Sequence, residues 1–311
     1  MRSMIYRGLR PITLQQFLQQ EFPLLTAGQC NKFLRENKIK LNGKKQPLNT
    51  ALRPHDEIRI FIQEEYLQIP NEENRYQFAK DLDNVVFEDE NLIVADKPAG
   101  LAVSDETGEA RDTLILRAKK YLMAKGEQED PRLCHRLDTG TSGLVLIAKN
   151  EKTEKFLTNL IREHRIRKEY VCVTFGRPQP ASATLRGYHV KDAAAGRVYI
   201  QQNAGKDAKK VETRYDTMAV SGRLALLKVE IVTGRTHQIR AHLADIGCPI
   251  LGDSKYGNNA ANRELKLKYQ ALCAWKLTFP EIEGNYAAWS GLKLSASKPW
   301  YFDQVLNGTL K

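Results

Sequence analysis

The chain has 311 residues, with 48 Lys+Arg against 37 Asp+Glu, a net charge of +11. Its 42% hydrophobic residues are enough for sizeable cores, which excludes a disordered chain, and its length suits about two domains. No run approaches the roughly 18 apolar residues of a membrane span, and no apolar stretch follows the basic start as a secretory signal requires.

Five cysteines (Cys30, Cys134, Cys172, Cys248, Cys273) never form a C-x-x-C pair. That argues against zinc and against a disulfide scaffold, so reduced thiols in a cytoplasmic protein are expected. The charge is unevenly spread. Residues 1–63 hold 11 Lys/Arg against 4 Asp/Glu, residues 64–130 hold 8 against 17, and residues 131–311 hold 29 against 16. Either basic block alone suits a solvated face; two of them point to a polyanion, RNA or DNA.

In chain order, Thr13 is placed to cap a helix through Leu14, Phe17 and Leu18. Pro23 and Thr26 end that segment and open a second through Cys30, Phe33 and Leu34. Asn42-Gly43 marks a turn with positive φ, and Ile58, Ile60 and Ile62 alternate as in a strand. Lys32, Arg35, Lys38, Lys40, Lys44 and Lys45 lie between. Residues 64–84 are polar and acidic, with Glu64, Glu65, Glu72, Glu73, Asp81 and Asp83, and read as an extended linker. Residues 85–87 and 92–95 read as a strand pair across a turn, and residues 143–148 as a buried strand. Asn150 caps a helix with Phe156, Leu157, Leu160 and Ile161 on one face; Lys and Arg crowd its end, among them Arg165, Arg167 and Lys168. Strands are expected at 168–175, 211–217 and 224–232. A helix is expected at 236–246, with Ile239, Leu243 and Ile246 inward and Gly247 and Pro249 as stops. Strands dominate without βαβ periodicity. An α+β fold with a mixed, largely antiparallel sheet is the expectation.

Neither G-x-G-x-x-G nor G-x-x-x-x-G-K-[ST] occurs, so nucleotide loops lack support. His237 and His242 are five apart and do not share a helical face as zinc ligands would, and Gly140-Thr141-Ser142-Gly143 breaks the G-x-S-x-G frame of a serine hydrolase. What remains is the run from His135 to Gly143, HRLDTGTSG, just before the buried strand. An isolated Asp before Thr-Gly is an ordinary turn residue. Here Asp138 sits at the mouth of a core strand, in a loop dense in hydroxyls and glycines, with Arg136 two residues away.

HRLDTGTSG resembles the signature of the RluA-type pseudouridine synthases. NLIVADKPAGL (91–101), KEYVCVTFG (168–176) and TGRTHQIRAHLADIGCPILGDSKYG (233–257) resemble three further motifs of that family, in the expected order. Together they cover about residues 85–305. The first 63 residues, with two short helices, a basic loop and IKLNGK (39–44), resemble the small RNA-binding domain named after ribosomal protein S-four. The resemblance implies three segments: an S-four-like domain (1–63), a linker (64–84) and a pseudouridine synthase domain (85–311).

It also implies an isomerase that turns uridine into pseudouridine in structured RNA, with RNA as its partner; no membrane contact and a monomeric state are expected besides. Large-subunit (23S) ribosomal RNA is the expected substrate, and tRNA the alternative. By similarity Asp138 matches the catalytic aspartate, Tyr170 the tyrosine beneath the target base and Arg240 the arginine pairing with the aspartate. Arg136 matches the arginine that fills the space of the flipped nucleotide. RNA contacts are expected at Arg136, Lys32, Arg35, Lys38, Lys44, Arg165, Arg167 and Lys168. Reactant and product differ only in connectivity, so no metal, redox cofactor or ATP is expected. Read without the family, Tyr170 also suits a core strand, Arg240 a surface ion pair, and His135 a hydrogen-bonded structural role; His237 and Gln238 are possible orienting groups. A non-catalytic ribosome assembly factor and a nucleoside hydrolase are the other readings of the same residues.

Overall fold

The computed structural model describes every residue except 70, 72, 106–109, 111, 193–195, 206–207 and 311. Its chain divides into two units, Met1–Lys80 and Asp81–Lys311.

In the first unit, strand β1 (Arg2–Ile5) pairs with β3 (Glu57–Ile60), which pairs with β2 (Ile39–Leu41), all antiparallel. Helices α1 (Leu14–Glu21) and α2 (Ala27–Arg35) precede β2. Both start on a capping box: Thr13 exchanges side-chain and backbone bonds with Gln16, and Thr26 with Gln29. Each box satisfies two N–H groups that a helix start otherwise leaves orphaned. Leu14, Leu18, Phe22, Cys30, Ile39, Ile58 and Ile60 form the core. Asn42 (φ 50°) and Gly43 (φ 76°) make the expected positive-φ turn.

The segment read as a linker is partly structured. Glu64–Leu67 and Arg75–Phe78 form 3-10 turns, and Leu67 is buried in the first unit's core. Leu67 and its neighbours supply apolar surface that the charge count alone hides. Glu72 lies outside the described residues.

The second unit is built on a sheet that comprises eleven strands among the described residues: β4 (Val85–Glu88), β5 (Leu92–Lys97), β6 (Arg132–Leu133), β7 (Ser142–Ala148), β8 (Arg167–Phe175), β9 (Ser182–Asp192), β10 (Arg197–Gln201), β11 (Lys209–Ser221), β12 (Leu224–Ile231), β13 (Leu272–Thr278) and β14 (Lys293–Ser295). The order is β10-β9-β11-β12-β8-β13-β7-β5-β4, with β14 on β13 and β6 on β7. Pairings among the described residues are antiparallel except β7 with β13. At that parallel contact Gly143 has φ 109°, and a Cβ there would collide with the backbone of Ala274. The second glycine of HRLDTGTSG is thus a packing requirement.

Helices α3 (Leu114–Ala124), α4 (Glu151–Arg162), α5 (Gln238–Asp245), α6 (Asn259–Glu264) and α7 (Tyr301–Leu306) surround the sheet. Successive strand residues point to opposite faces. Val171 and Val173 of β8 therefore join Leu157 and Leu160 of α4 and Phe302 of α7, while Tyr170 and Cys172 join Ile239 and Leu243 of α5. Register alone turns Tyr170 toward α5.

Helix α5 is shorter than the spacing predicts. His237 adopts a left-handed conformation (φ 54°, ψ 18°), so the helix starts at Gln238, and it ends at Asp245. Ile246, expected inward, is at the C-terminal cap and 36% exposed.

Candidate active site

Asp138 lies in the loop that carries β6 into β7. The turn is closed by the Thr141 amide donating to the Asp138 carbonyl at 3.0 Å. From β5, the fully buried Lys97 donates its Nζ to the carbonyls of Leu101 (2.8 Å), Pro98 (3.1 Å) and Thr139 (3.2 Å). One ammonium thus ties two loops together beside Asp138. Burial pushes the Lys97 ammonium down to about 8, against the pull of the Asp138 carboxylate. On the other side Gln270 donates to Thr141 Oγ1 at 3.0 Å and packs so closely on Gly140 that a Cβ there would overlap it.

Arg240, on α5, donates Nη1 to Asp138 Oδ2 at 2.6 Å. Its Nε and Nη2 bind Asp253 Oδ2 and Oδ1 at 2.7 and 3.0 Å. The Arg240 side chain is 8% exposed and that of Asp253 0%, against 25% for Asp138. Burial by itself would lower the Arg240 pKa, but the two carboxylates raise it above its ordinary value. For Asp253, burial pushes up, yet Arg240 and the amides of Tyr256 and Lys255 hold the carboxyl below its ordinary value. Guanidinium suits this place because it stays charged when desolvated and its planar fork matches a carboxylate.

Tyr170 is buried beside the loop, its hydroxyl pKa raised first by burial and then by the nearby Asp138 carboxylate. It therefore stays a neutral donor and an aromatic face. His135 accepts the Leu146 amide on Nε2 at 3.1 Å, and burial pushes its ring down to about 3. It is a neutral acceptor that finishes the edge of β7.

Around Asp138 opens a cavity of about 880 Å³. Among the described residues six cations line it (Arg136, Arg162, Lys168, Arg235, Arg240 and Lys255), with Asp138 as the one carboxylate. Tyr170 lines it too. Burial pushes the Lys168 ammonium down to about 8. A wall of this kind attracts a phosphodiester chain. Among the described residues no group of His, Cys, Asp and Glu is arranged to hold a metal ion.

A family model for RNA pseudouridylate synthase matches residues 91–245. A ribosomal large subunit pseudouridine synthase C of Rickettsia conorii is 34% identical over 306 residues, covering 94% of this chain and 96% of that protein. The chain belongs to the RluA-type RNA pseudouridine synthases. An RNA pseudouridine synthase of Mycoplasma genitalium is 32% identical over 279 residues, covering 87% of this chain and 86% of the relative. The solved structure of human RNA pseudouridylate synthase domain containing 4 superposes with a TM-score of 0.57 at 25% identity, over 72% of this chain and 92% of that one. The protein is thus an isomerase that acts on RNA.

Of the site residues expected from sequence, the synthase cavity brings together Asp138, Tyr170, Arg240, Arg136 and Lys168. Arg165 and Arg167 stand outside that lining: Arg165 donates to the Glu281 carbonyl at 3.4 Å, and Arg167 pairs with Glu169 and Glu230. Lys32 and Arg35 fall in the last turn of α2, Lys38 pairs with Glu36 just before β2, and Lys44 follows the Asn42-Gly43 turn; all four belong to the first unit. The reading of the sequence missed Asp253, Lys97 and Tyr256. Asp253 stands inside LGDSKYG, where an acidic residue between glycines looks like a turn, and only the three-dimensional placement of Arg240 gives it a task.

Proposed function

We propose that this enzyme isomerises specific uridines of large-subunit ribosomal RNA to pseudouridine, with Asp138 acting on a nucleotide flipped out of the RNA. The observation that carries this reading is the Asp138–Arg240 pair at 2.6 Å within a cation-lined cavity that also holds Tyr170. The large-subunit substrate is taken from the relatives of that name.

A base inside an RNA helix hides its glycosidic bond, so the target must be extruded at a cost of a few kcal/mol. Phosphate contacts along the cationic wall offset that cost, and the exposed Arg136 at the cavity fills the vacated space. Asp138 works as nucleophile or base through a carboxylate oxygen, and Arg240 Nη1 orients that carboxylate by its bond to Oδ2. Tyr170 supports the uracil ring on its face and offers a hydroxyl for proton transfer at carbon 5. The bond between N1 and the ribose breaks, the uracil rotates while held, and carbon 5 joins the ribose; carbon 5 gives up its proton and N1 gains one. The first unit, with its basic residues along α2, β2 and the following turn, serves as a second RNA grip in the manner of an S-four domain.

Carbodiimide-based pseudouridine mapping of total RNA, with and without the gene, tests the substrate. Loss and restoration of a site in large-subunit RNA supports the proposal. Loss of a site only in tRNA, or of none, overturns it.

A further inference from the structure

Beside Asp138 stands His237, a non-glycine residue in the left-handed region at the start of α5. Such a conformation is disfavoured for a residue with a Cβ and is held in place by its surroundings. Each ring nitrogen faces a polar group. Its Nδ1 lies 3.1 Å from the Tyr256 hydroxyl, and its Nε2 lies 3.8 Å from Asp138 Oδ2. The Tyr256 hydroxyl in turn accepts the main-chain N–H of Val198, on β10, at 2.8 Å.

The direction of this chain follows from counting protons. Val198 N–H can only donate, so it takes one lone pair of the Tyr256 oxygen. The hydroxyl proton then needs an acceptor, and among the described residues the one within reach is His237 Nδ1. A neutral imidazole that accepts on Nδ1 carries its single proton on Nε2. That proton faces Asp138. The Tyr256 ring is itself held edge-on against His237 (5.6 Å, 81°) and under the Arg240 guanidinium (5.2 Å).

Resting on the reading of Asp138 as the catalytic group, we infer that His237 is a positioning residue, fixed as its Nε2–H tautomer by a relay from Val198 through Tyr256. It faces the same Oδ2 that Arg240 binds. At 3.8 Å the contact is too long for a direct hydrogen bond, and a bridging water or a small ring shift closes it. Oδ2 is thereby occupied on both sides, and Oδ1 is the oxygen presented to the nucleotide. Asp138, Arg240, Lys255 and Asp253 are the charges around the ring, and burial keeps it neutral by lowering its pKa.

The test uses full-length protein labelled with nitrogen-15 in its six histidines. Imidazole nitrogen–proton correlation spectra at pH 7 are expected to show His237, assigned by its loss in His237→Asn, as the neutral Nε2–H tautomer. Tyr256→Phe is expected to release it into a tautomer mixture. Asn tolerates the left-handed backbone but is too short to reach Asp138. Single-turnover pseudouridine formation should therefore fall about tenfold in His237→Asn with RNA affinity unchanged. His237→Gln, whose amide nitrogen reaches as far as Nε2, should recover part of the loss. An Nδ1–H tautomer or an imidazolium in the wild-type protein would overturn the relay, as would a wild-type rate in His237→Asn. These results are separable from failure of the proposed function, which shows as wild-type enzyme leaving large-subunit RNA unmodified whatever the tautomer.

Discussion

Asp253 grips the guanidinium of Arg240 from the side away from Asp138, Oδ2 on Nε at 2.7 Å and Oδ1 on Nη2 at 3.0 Å. Its own oxygen Oδ1 also receives the amides of Lys255 and Tyr256, at 2.9 and 3.0 Å. These bonds orient Asp253, Asp253 in turn orients the Arg240 guanidinium, and Asp138 meets a cation held from behind. Removing one partner of a buried pair costs about 3–5 kcal/mol, because the other charge stays desolvated. Asp253→Asn is expected to lower stability by about 3 kcal/mol in denaturant unfolding. It should also slow single-turnover catalysis at temperatures where the variant is folded, since Arg240 loses its fixed orientation.

Lys168 presents the opposite balance between stability and function. Its ammonium lines the cavity, and burial pushes its pKa down to about 8, whereas an unfolded lysine titrates near 10.4. Below about pH 8 both states hold the proton and the full burial penalty applies. Between about pH 8 and 10.4 folding releases the proton, so this lysine makes stability rise with pH across that window. Lys168→Met is expected to stabilise the protein at pH 7 by about 1–2 kcal/mol and to flatten that rise, measured by thermal unfolding from pH 7 to 10. RNA affinity should fall in the same variant, because a cation is lost from the cavity wall.

Much of this site is legible in the sequence, and what is not has a physical reason. Asp138 stands out because a hydroxyl- and glycine-rich loop before an apolar run is a local pattern, and Tyr170 follows because period two along β8 fixes its face. The capping residues Thr13, Thr26 and Asn150 are legible for the same reason: capping acts over three residues. Strands β9 and β10 were not anticipated: β10 is the short edge strand, and β9 beside it alternates exposed and half-buried residues and carries no strong apolar stripe. Nor was Asp253, whose meaning depends on a partner thirteen residues away on another element. Lys97 reads as a surface lysine, yet it is buried, because its partners are carbonyls and carbonyls leave no trace in a sequence.

The first unit's role has its own test. Replacing Lys32, Arg35, Lys38 and Lys44 together by Gln removes four exposed or half-exposed cations without touching the core around Leu18 and Ile58. RNA affinity is expected to fall, and the slope of log affinity against log salt to shrink by about 2–3, in line with about 0.7 per phosphate contact on single strands. Some activity on a short RNA carrying the target uridine should remain. An unchanged slope would remove the first unit from the RNA-binding surface.

We propose above that Asp138, clamped by Arg240, performs the isomerisation. The most direct measurement is pseudouridine formation in a defined large-subunit RNA transcript by Asp138→Asn, beside the affinity of that variant for the same transcript. No detectable pseudouridine is expected, with affinity close to wild type, because Asn keeps the shape of the loop and loses only a carboxylate oxygen. A variant that still makes pseudouridine at a rate near wild type would contradict it.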